Sequence, residues 1–209
     1  EWRQIPVIQA DPSLVIDLEP SIFQILVFNV KEGPFSDPRV RRAISYALNR
    51  EEIAIACFEG YAVPLYGGLI PKSSWAYNED LAHYFSYDPE KAKQLLAEAG
   101  YPNGFSATVL ATSAYSTHYC PAEVAQAQLA KVGIDVRVQL VDWPTRVASR
   151  SEWNYEFASD GLSGDYLDPD FYYRFFHSSS PRYAKAPFFE DEQLDALLDE
   201  GRRTVDREK

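Results

Sequence analysis

The sequence predicts an α/β fold, a sheet with helices on both of its faces, and three observations carry that expectation. The first is a strand–helix–strand run. "FSATVLA" (105–111) alternates as a strand, "PAEVAQAQLAKVG" (121–133) reads as a helix stopped by Gly133, and "IDVRVQLV" (134–141) alternates strictly through Ile134, Val136, Val138 and Leu140. Short links between such elements imply adjacent parallel strands joined by a right-handed crossover. The second is a repeated helix start. Asp-Pro opens a helical pattern at Asp37-Pro38, Asp88-Pro89 and Asp168-Pro169, because Asp can accept from orphan backbone N–H groups and Pro suits the first helical position. The third is "IFQILVFNV" (22–30), apolar on both faces as a central strand should be.

Taken in chain order, 22–30 is a strand. Residues 38–48 are a helix that buries Val40, Ala43, Ile44, Ala47 and Leu48, and 51–58 a shorter helix ending before Gly60. "AVPLYGGLIPKSSWAYNED" is rich in turn formers and predicts a long ordered loop. After Pro89, Ala92, Leu95, Leu96 and Ala99 repeat the helical spacing until Gly100. Beyond the strand–helix–strand run come a short helix near 144–150, a strand near 154–159, a helix near 169–177 and a last helix over 191–203 carrying Leu194, Leu197 and Leu198. No internal repeat or low-complexity tract interrupts this order.

The net charge of −11 disfavours phosphate backbones and anionic lipid, which a negative surface repels, and leaves cationic or zwitterionic small ligands open. Nucleic acid is therefore not an expected partner. The apolar stretch 22–30 is too short to span a membrane. The chain opens on Glu1, contains no Met, and closes on "DEGRRTVDREK", which reads as a helix cut off without a stop, so a fragment of a longer protein is expected. Cys57 and Cys120 lack metal spacing and a CxxC motif; they read as two buried or free thiols, with a disulfide as the alternative.

A ligand site in such a sheet lies beyond the carboxyl ends of the parallel strands. Two segments qualify, "TSAYSTHY" (112–119) and "GLSGDYLD" (161–168). The first offers hydroxyls, Tyr115 and His118; the second offers flexible backbone and Asp165. Three acids crowd the second. Asp168 caps the helix that follows, and Asp170 falls in its first turn, where the helix dipole favours negative charge. Asp165 has no such duty and reads either as a solvated turn acid or as part of a site. Catalytic readings find little support. "DYLDPD" has the wrong phase for a calcium loop, Ser163 lies in "GLSG" rather than in a G-x-S-x-G elbow, and His83, His118 and His177 lack metal-ligand spacing and read as surface or packed histidines. No cofactor or metal is expected. A general acid or base at Asp165 is the enzymatic alternative, and it requires a second titratable group within hydrogen-bond reach.

Four segments together resemble the extracellular solute-binding protein family 5: "FNVKEGPFSDPRVRRAISYALNREEI", "YDPEKAKQLLAEAGYPNGF", "AQLAKVGIDVRVQLVDW" and "GLSGDYLDPDFYY", in family order and with family-like spacing from about residue 20 to 200. The resemblance implies a periplasmic-binding-protein-like (type II) lobe with a mixed sheet, one half of a receptor that closes on its ligand by a hinge. It implies that 21–209 form the second lobe, that 1–20 lead in from a first lobe outside this chain, and that the protein serves an ABC importer at the periplasmic or extracellular face of the membrane, with permease subunits as partners. The family's W-x-G-D motif matches Leu162, Ser163, Gly164 and Asp165. Carried over, Asp165 anchors a ligand α-ammonium, while Gly161, Leu162 and Ser163 supply backbone bonds to an extended peptide. The usual aromatic is Leu162 here, and the Arg that holds the carboxylate in dipeptide binders is absent from the matching stretch Thr112, Ser113, Ala114 and Tyr115. Longer peptides, or another cationic ligand, therefore fit better than dipeptides. A sensor or chaperone on the same scaffold is the remaining alternative.

Overall fold

The computed structural model describes residues 2–16, 22–163, 168–185 and 187–204. After a 3-10 turn at Trp2–Gln4 come α1 (Ile5–Gln9), β1 (Ile22–Phe28), α2 (Pro38–Ala47), α3 (Arg50–Phe58), α4 (Pro89–Glu98), β2 (Phe105–Thr112), α5 (Ser116–Ala130), β3 (Ile134–Val141), α6 (Trp143–Glu152), β4 (Phe157–Ser163), α7 (Tyr173–Phe176) and α8 (Glu192–Arg203). The sheet order is β1-β4-β2-β3. β2 pairs with β3 in parallel along its whole length, from Phe105↔Ile134 to Thr112↔Val141, and with β4 in parallel at Val109↔Phe157 and Leu110↔Ala158. β1 runs antiparallel to β4 from Ile22↔Ser163 to Phe28↔Phe157, which makes the sheet mixed.

All three Asp-Pro starts cap as their chemistry requires. Asp37 accepts from the Arg39 amide, Asp88 from Lys91 and Asp168 from Asp170, at 2.7, 2.9 and 2.9 Å. The third opens a 3-10 turn, Pro169–Tyr172, which passes into α7 rather than continuing as one helix over 169–177. The long connection 61–87 is irregular apart from a 3-10 turn at Glu79–Leu81.

Four expectations are corrected. β1 is an edge strand among the described residues, not a central one. Its two-sided apolar character comes from cover on both faces: Leu26 and Phe28 pack on the main core, while Phe23 sits in a second cluster with Leu162, Phe175 and Ala184. β4 starts later than expected and extends to Ser163. Residues 153–156 are instead a connection, fixed by Asn29 Nδ2, which donates to the carbonyls of Trp153 and Tyr155 at 3.1 Å each. α5 begins at Ser116, five residues before Pro121, so Pro121 lies inside the helix. A proline has no N–H for the carbonyl four residues back. That carbonyl belongs to Thr117, and in the amide orientation its surroundings demand, Gln24 donates to it at 2.6 Å and to the Asp160 carbonyl at 3.2 Å. Finally, Cys57 and Cys120 form a disulfide, with Cα atoms 5.6 Å apart, that ties α3 to α5 across 63 residues of sequence.

The main core lies on the face of the sheet that carries α2, α4 and α5. Val40, Ala43 and Ile44 of α2, Ala92 and Leu96 of α4, and Ala122, Ala125 and Leu129 of α5 meet Ala107, Val109 and Ala111 of β2, Val136 of β3 and Phe157 of β4. Each large side chain buried there contributes roughly 1.5–3 kcal/mol. Rings of Phe28, Phe35 and Phe157 close the β1–β4 end of this core, with centroids 5.1–5.8 Å apart. α6 packs against the opposite face through a buried ionic cluster described below.

Candidate functional site

Parallel β2, β3 and β4 bring Thr112, Val141 and Ser163, their carboxyl ends, to one edge of the sheet. Among the described residues, β4 has no ladder partner on the β2 side beyond Ala158 and continues to Ser163 paired with β1 alone. Within a strand the N–H and C=O of one residue point to the same side, and the side alternates. The Asn29 amide donates to the Glu156 carbonyl across the β1 interface at 2.9 Å, so Ala158, Asp160 and Leu162 also turn their backbone groups toward β1. Ser159, Gly161 and Ser163 turn theirs toward the open side. The Ser159 carbonyl accepts there from His118 Nδ1 and Arg146 Nη2, each at 3.3 Å. The Gly161 amide donates to Asp160 Oδ1 at 2.8 Å. The Gly161 carbonyl and the Ser163 backbone remain on the open side.

Under this edge lies an ionic cluster that sequence reading missed. Asp160 stands between Arg146 and Arg150, all three buried. Arg146 Nη2 donates to Oδ1 and Arg150 Nε to Oδ2, the latter at 2.9 Å. Arg150 also donates to the Tyr155 hydroxyl and to the Tyr183 carbonyl. Burial pushes the Tyr155 hydroxyl up to about 12, so it stays a neutral acceptor. The two arginines sit four residues apart on α6 and so share one face, and Asp160 is the one charged residue of β4; those two signals in combination could have identified the cluster.

Above the edge, Tyr115, His118 and Trp143 form an aromatic group. Tyr115 and Trp143 meet edge to face at 5.2 Å, His118 lies 5.9 and 6.0 Å from them, and the Arg146 guanidinium sits 5.0 Å from the Trp143 ring. Asp142 caps α6 by accepting from Thr145 and so fixes Trp143 at the helix start. His118 is buried, and burial followed by the nearby Arg146 charge holds its imidazole below the ordinary range, in the neutral form.

The expected site residues are distributed as follows. Thr112 is fully buried, with its hydroxyl accepting from the Ala114 amide. Ser113 is tied to the end of β3 through the Val141 carbonyl. Tyr115 is half exposed at the N-terminus of α5. Leu162 points into the second cluster, while Gly161 and Ser163, at the end of β4, turn their backbone groups toward the open side. A Cβ on Gly161 would stand 3.0 Å from the Gln24 amide and 3.3 Å from His118 Nε2, which is why glycine suits this position. Gly164 and Asp165 lie outside the described residues. A shallow recess among Pro64, Tyr66, Ile70, Tyr77 and Leu81 belongs to the 61–87 connection, not to the strand ends. No group of three metal-ligating side chains converges, and no helix is long and apolar enough to cross a membrane, among the described residues.

Comparison with known proteins adds the family. The model of bacterial extracellular solute-binding proteins, family 5 Middle, matches residues 1–184. Over 214 residues the chain is 32% identical to the glutathione-binding protein GsiB of Shigella flexneri serotype 5b (strain 8401), covering 98% of this chain and 41% of that protein. The structure of the binding protein AgaA from A. tumefacien R10 in complex with agropinic acid is similar at a TM-score of 0.87 and 40% identity, over 98% of this chain and 42% of that one. The periplasmic binding protein DppA from Helicobacter pylori, in complex with the peptide STSA, is similar at 0.86 and 30%, over 99% and 41%. The chain thus spans about two fifths of the length of the relatives it matches.

Proposed function

Since the chain belongs to the bacterial extracellular solute-binding proteins of family 5, we propose that it is the second ligand-binding lobe, residues 21–209, of an ABC importer's receptor. Residues 1–20 lead in from the first lobe. The receptor captures an oligopeptide, or a related cationic or zwitterionic small molecule, and delivers it to permease subunits in the membrane. The observation that carries this reading is the end of β4, paired on one side only and open on the other at the carboxyl edge of the sheet. An extended peptide can add there as a strand through the Gly161 carbonyl and the Ser163 backbone, which gives affinity without reading side chains. Asp165 is the anchor for the ligand ammonium, and the exposed residues Ser113, Ala114 and Tyr115 form the adjoining wall, with buried Thr112 supporting it from below. The disulfide supports a location outside the cytoplasm, because such bonds persist in oxidising compartments.

The reading is one of capture, not catalysis. An oligopeptide with a free amino terminus, titrated calorimetrically into the full-length receptor, is expected to bind about tenfold or more weakly to Asp165→Asn, because a charge-assisted bond contributes roughly 1.5–3 kcal/mol. Unchanged affinity would remove Asp165 from the site.

A further inference from the structure

The open side of β4 has an unequal supply of donors and acceptors. The Gly161 amide, which an extended ligand could otherwise use as a donor, is already spent on Asp160 Oδ1 at 2.8 Å. The Gly161 carbonyl remains. Next to it stands His118 Nε2, 3.3 Å from the position a Cβ on Gly161 would take. The other ring nitrogen settles the tautomer. His118 Nδ1 lies 3.3 Å from the Ser159 carbonyl, a group that only accepts, so Nδ1 carries the proton and Nε2 presents a lone pair. No hydrogen-bond partner for Nε2 occurs among the described residues. Yet Nε2 is not one of the sealed, unpaired side-chain atoms, which among the described residues are Arg146 Nε and Tyr172 Oη.

We propose that His118 Nε2 is a ligand-binding acceptor that, together with the Gly161 carbonyl, selects a ligand segment presenting N–H donors over the end of β4. This rests on the peptide-receptor reading and deepens it. The preferred ligand carries a donor-rich end, an α-ammonium followed by its first amide N–H, and an N-acylated end is discriminated against. His118 thereby joins the specificity-determining residues, although its place in the sequence resembles that of an ordinary packed histidine.

The surroundings keep the acceptor available. Burial and the Arg146 charge both oppose protonation of His118, and Asp160 with the Ser159 carbonyl favours it less strongly. The groups that face the ring are Arg146 and Trp143 from α6, Ser159 and Asp160 from β4, and Tyr115 from its own helix. Arg146 and Asp160 bear charge, Tyr115 presents a phenol, and the arginines outnumber the acid in the cluster beneath. Protonation of Nε2 at acid pH converts the acceptor into a donor and places a cation against the ligand's own, so binding weakens as pH falls.

The test uses the full-length receptor with two probes, trialanine and glutathione, titrated at about pH 7.5 and about pH 4.5, the lower value lying well below the ordinary histidine range because burial depresses His118. In the wild type, affinity for the probe that binds is expected to fall at the lower pH. His118→Leu, which removes the acceptor, is expected to bind that probe about tenfold more weakly at the higher pH. His118→Gln, which keeps a side-chain acceptor that does not titrate, is expected to retain most of the affinity and to lose the pH dependence. Should His118→Leu fail to fold by circular dichroism, the flat profile of His118→Gln decides alone. Wild-type affinity in His118→Leu, or an unchanged pH profile in His118→Gln, overturns the proposal while Asp165→Asn still weakens binding. If neither probe binds the wild type, or if Asp165→Asn binds as tightly, the peptide-receptor reading falls and this inference with it.

Discussion

On the face of the sheet that carries α2, α4 and α5, the contacts are aliphatic and aromatic and spread over some eighteen buried side chains. On the face that carries α6, the centre is one carboxylate between two guanidinium groups, all sealed from water. The first face gains its stability from many small, non-directional terms. The second must satisfy a few directional ones, because removing charges from water costs several kcal/mol per ion and only good geometry offsets it. The difference teaches where each kind of packing is useful. The apolar face can tolerate small losses of volume, whereas the ionic face fixes the last residues of β4 in one conformation. Asp160 does both tasks at once: it bridges the two arginines and holds the Gly161 amide.

The sharpest break in that comparison comes from a substitution that changes charge and almost no volume. Asp160→Asn leaves two buried arginines without a counter-charge and is expected to cost about 3–5 kcal/mol in urea denaturation. A loss below about 1 kcal/mol would mean that water, rather than the carboxylate, satisfies the arginines. Replacing Cys57 and Cys120 together by serine removes a tie across 63 residues, wholly on the apolar side of the molecule, and is expected to cost about 2–4 kcal/mol. The same loss should follow on adding reductant to the wild type, and none should follow in the double variant. At the small end, Ile44→Val trims one methylene from the centre of the apolar face and is expected to cost about 1 kcal/mol. An Ile44→Val loss equal to that of Asp160→Asn would abolish the distinction between the two faces.

That distinction also explains what could be read in advance. The apolar face was legible because helix and strand periodicities project onto it directly: Val40, Ala43, Ile44 and Ala47 announce one buried stripe, and the alternation of 105–111 and 134–141 announces two neighbouring strands. The Asp-Pro starts were legible because capping is a local event among three residues. The strand place of β1 was misread because burial on both faces does not distinguish a centre from a covered edge. The start of α5 was misread because Pro121 looks like a helix beginning. Inside the helix it leaves the Thr117 carbonyl without its helical donor, and Gln24, almost a hundred residues earlier, bonds that carbonyl instead. The partners of His118 are likewise long-range, and no local pattern encodes them, whereas the Asp160 cluster joins a local signal, two arginines four residues apart on α6, to an acid that only the fold places between them. At the candidate site, chain position pointed to the carboxyl edge, but which backbone groups stay open depends on the parity set by the Asn29–Glu156 bond.

That parity has a consequence for amide hydrogen exchange along the end of β4. The amides of Asp160 and Leu162 point into the ladder with β1 and are shielded until the strand pair opens. The Gly161 amide is held only by a neighbouring side chain, and the Ser163 amide faces the open side. Protection along these four residues should therefore alternate with a period of two, a pattern absent from strands paired on both sides. A ligand strand seated on the open side would level the alternation, so the exchange profile of four consecutive amides becomes an occupancy gauge that needs neither a label nor knowledge of what the ligand is.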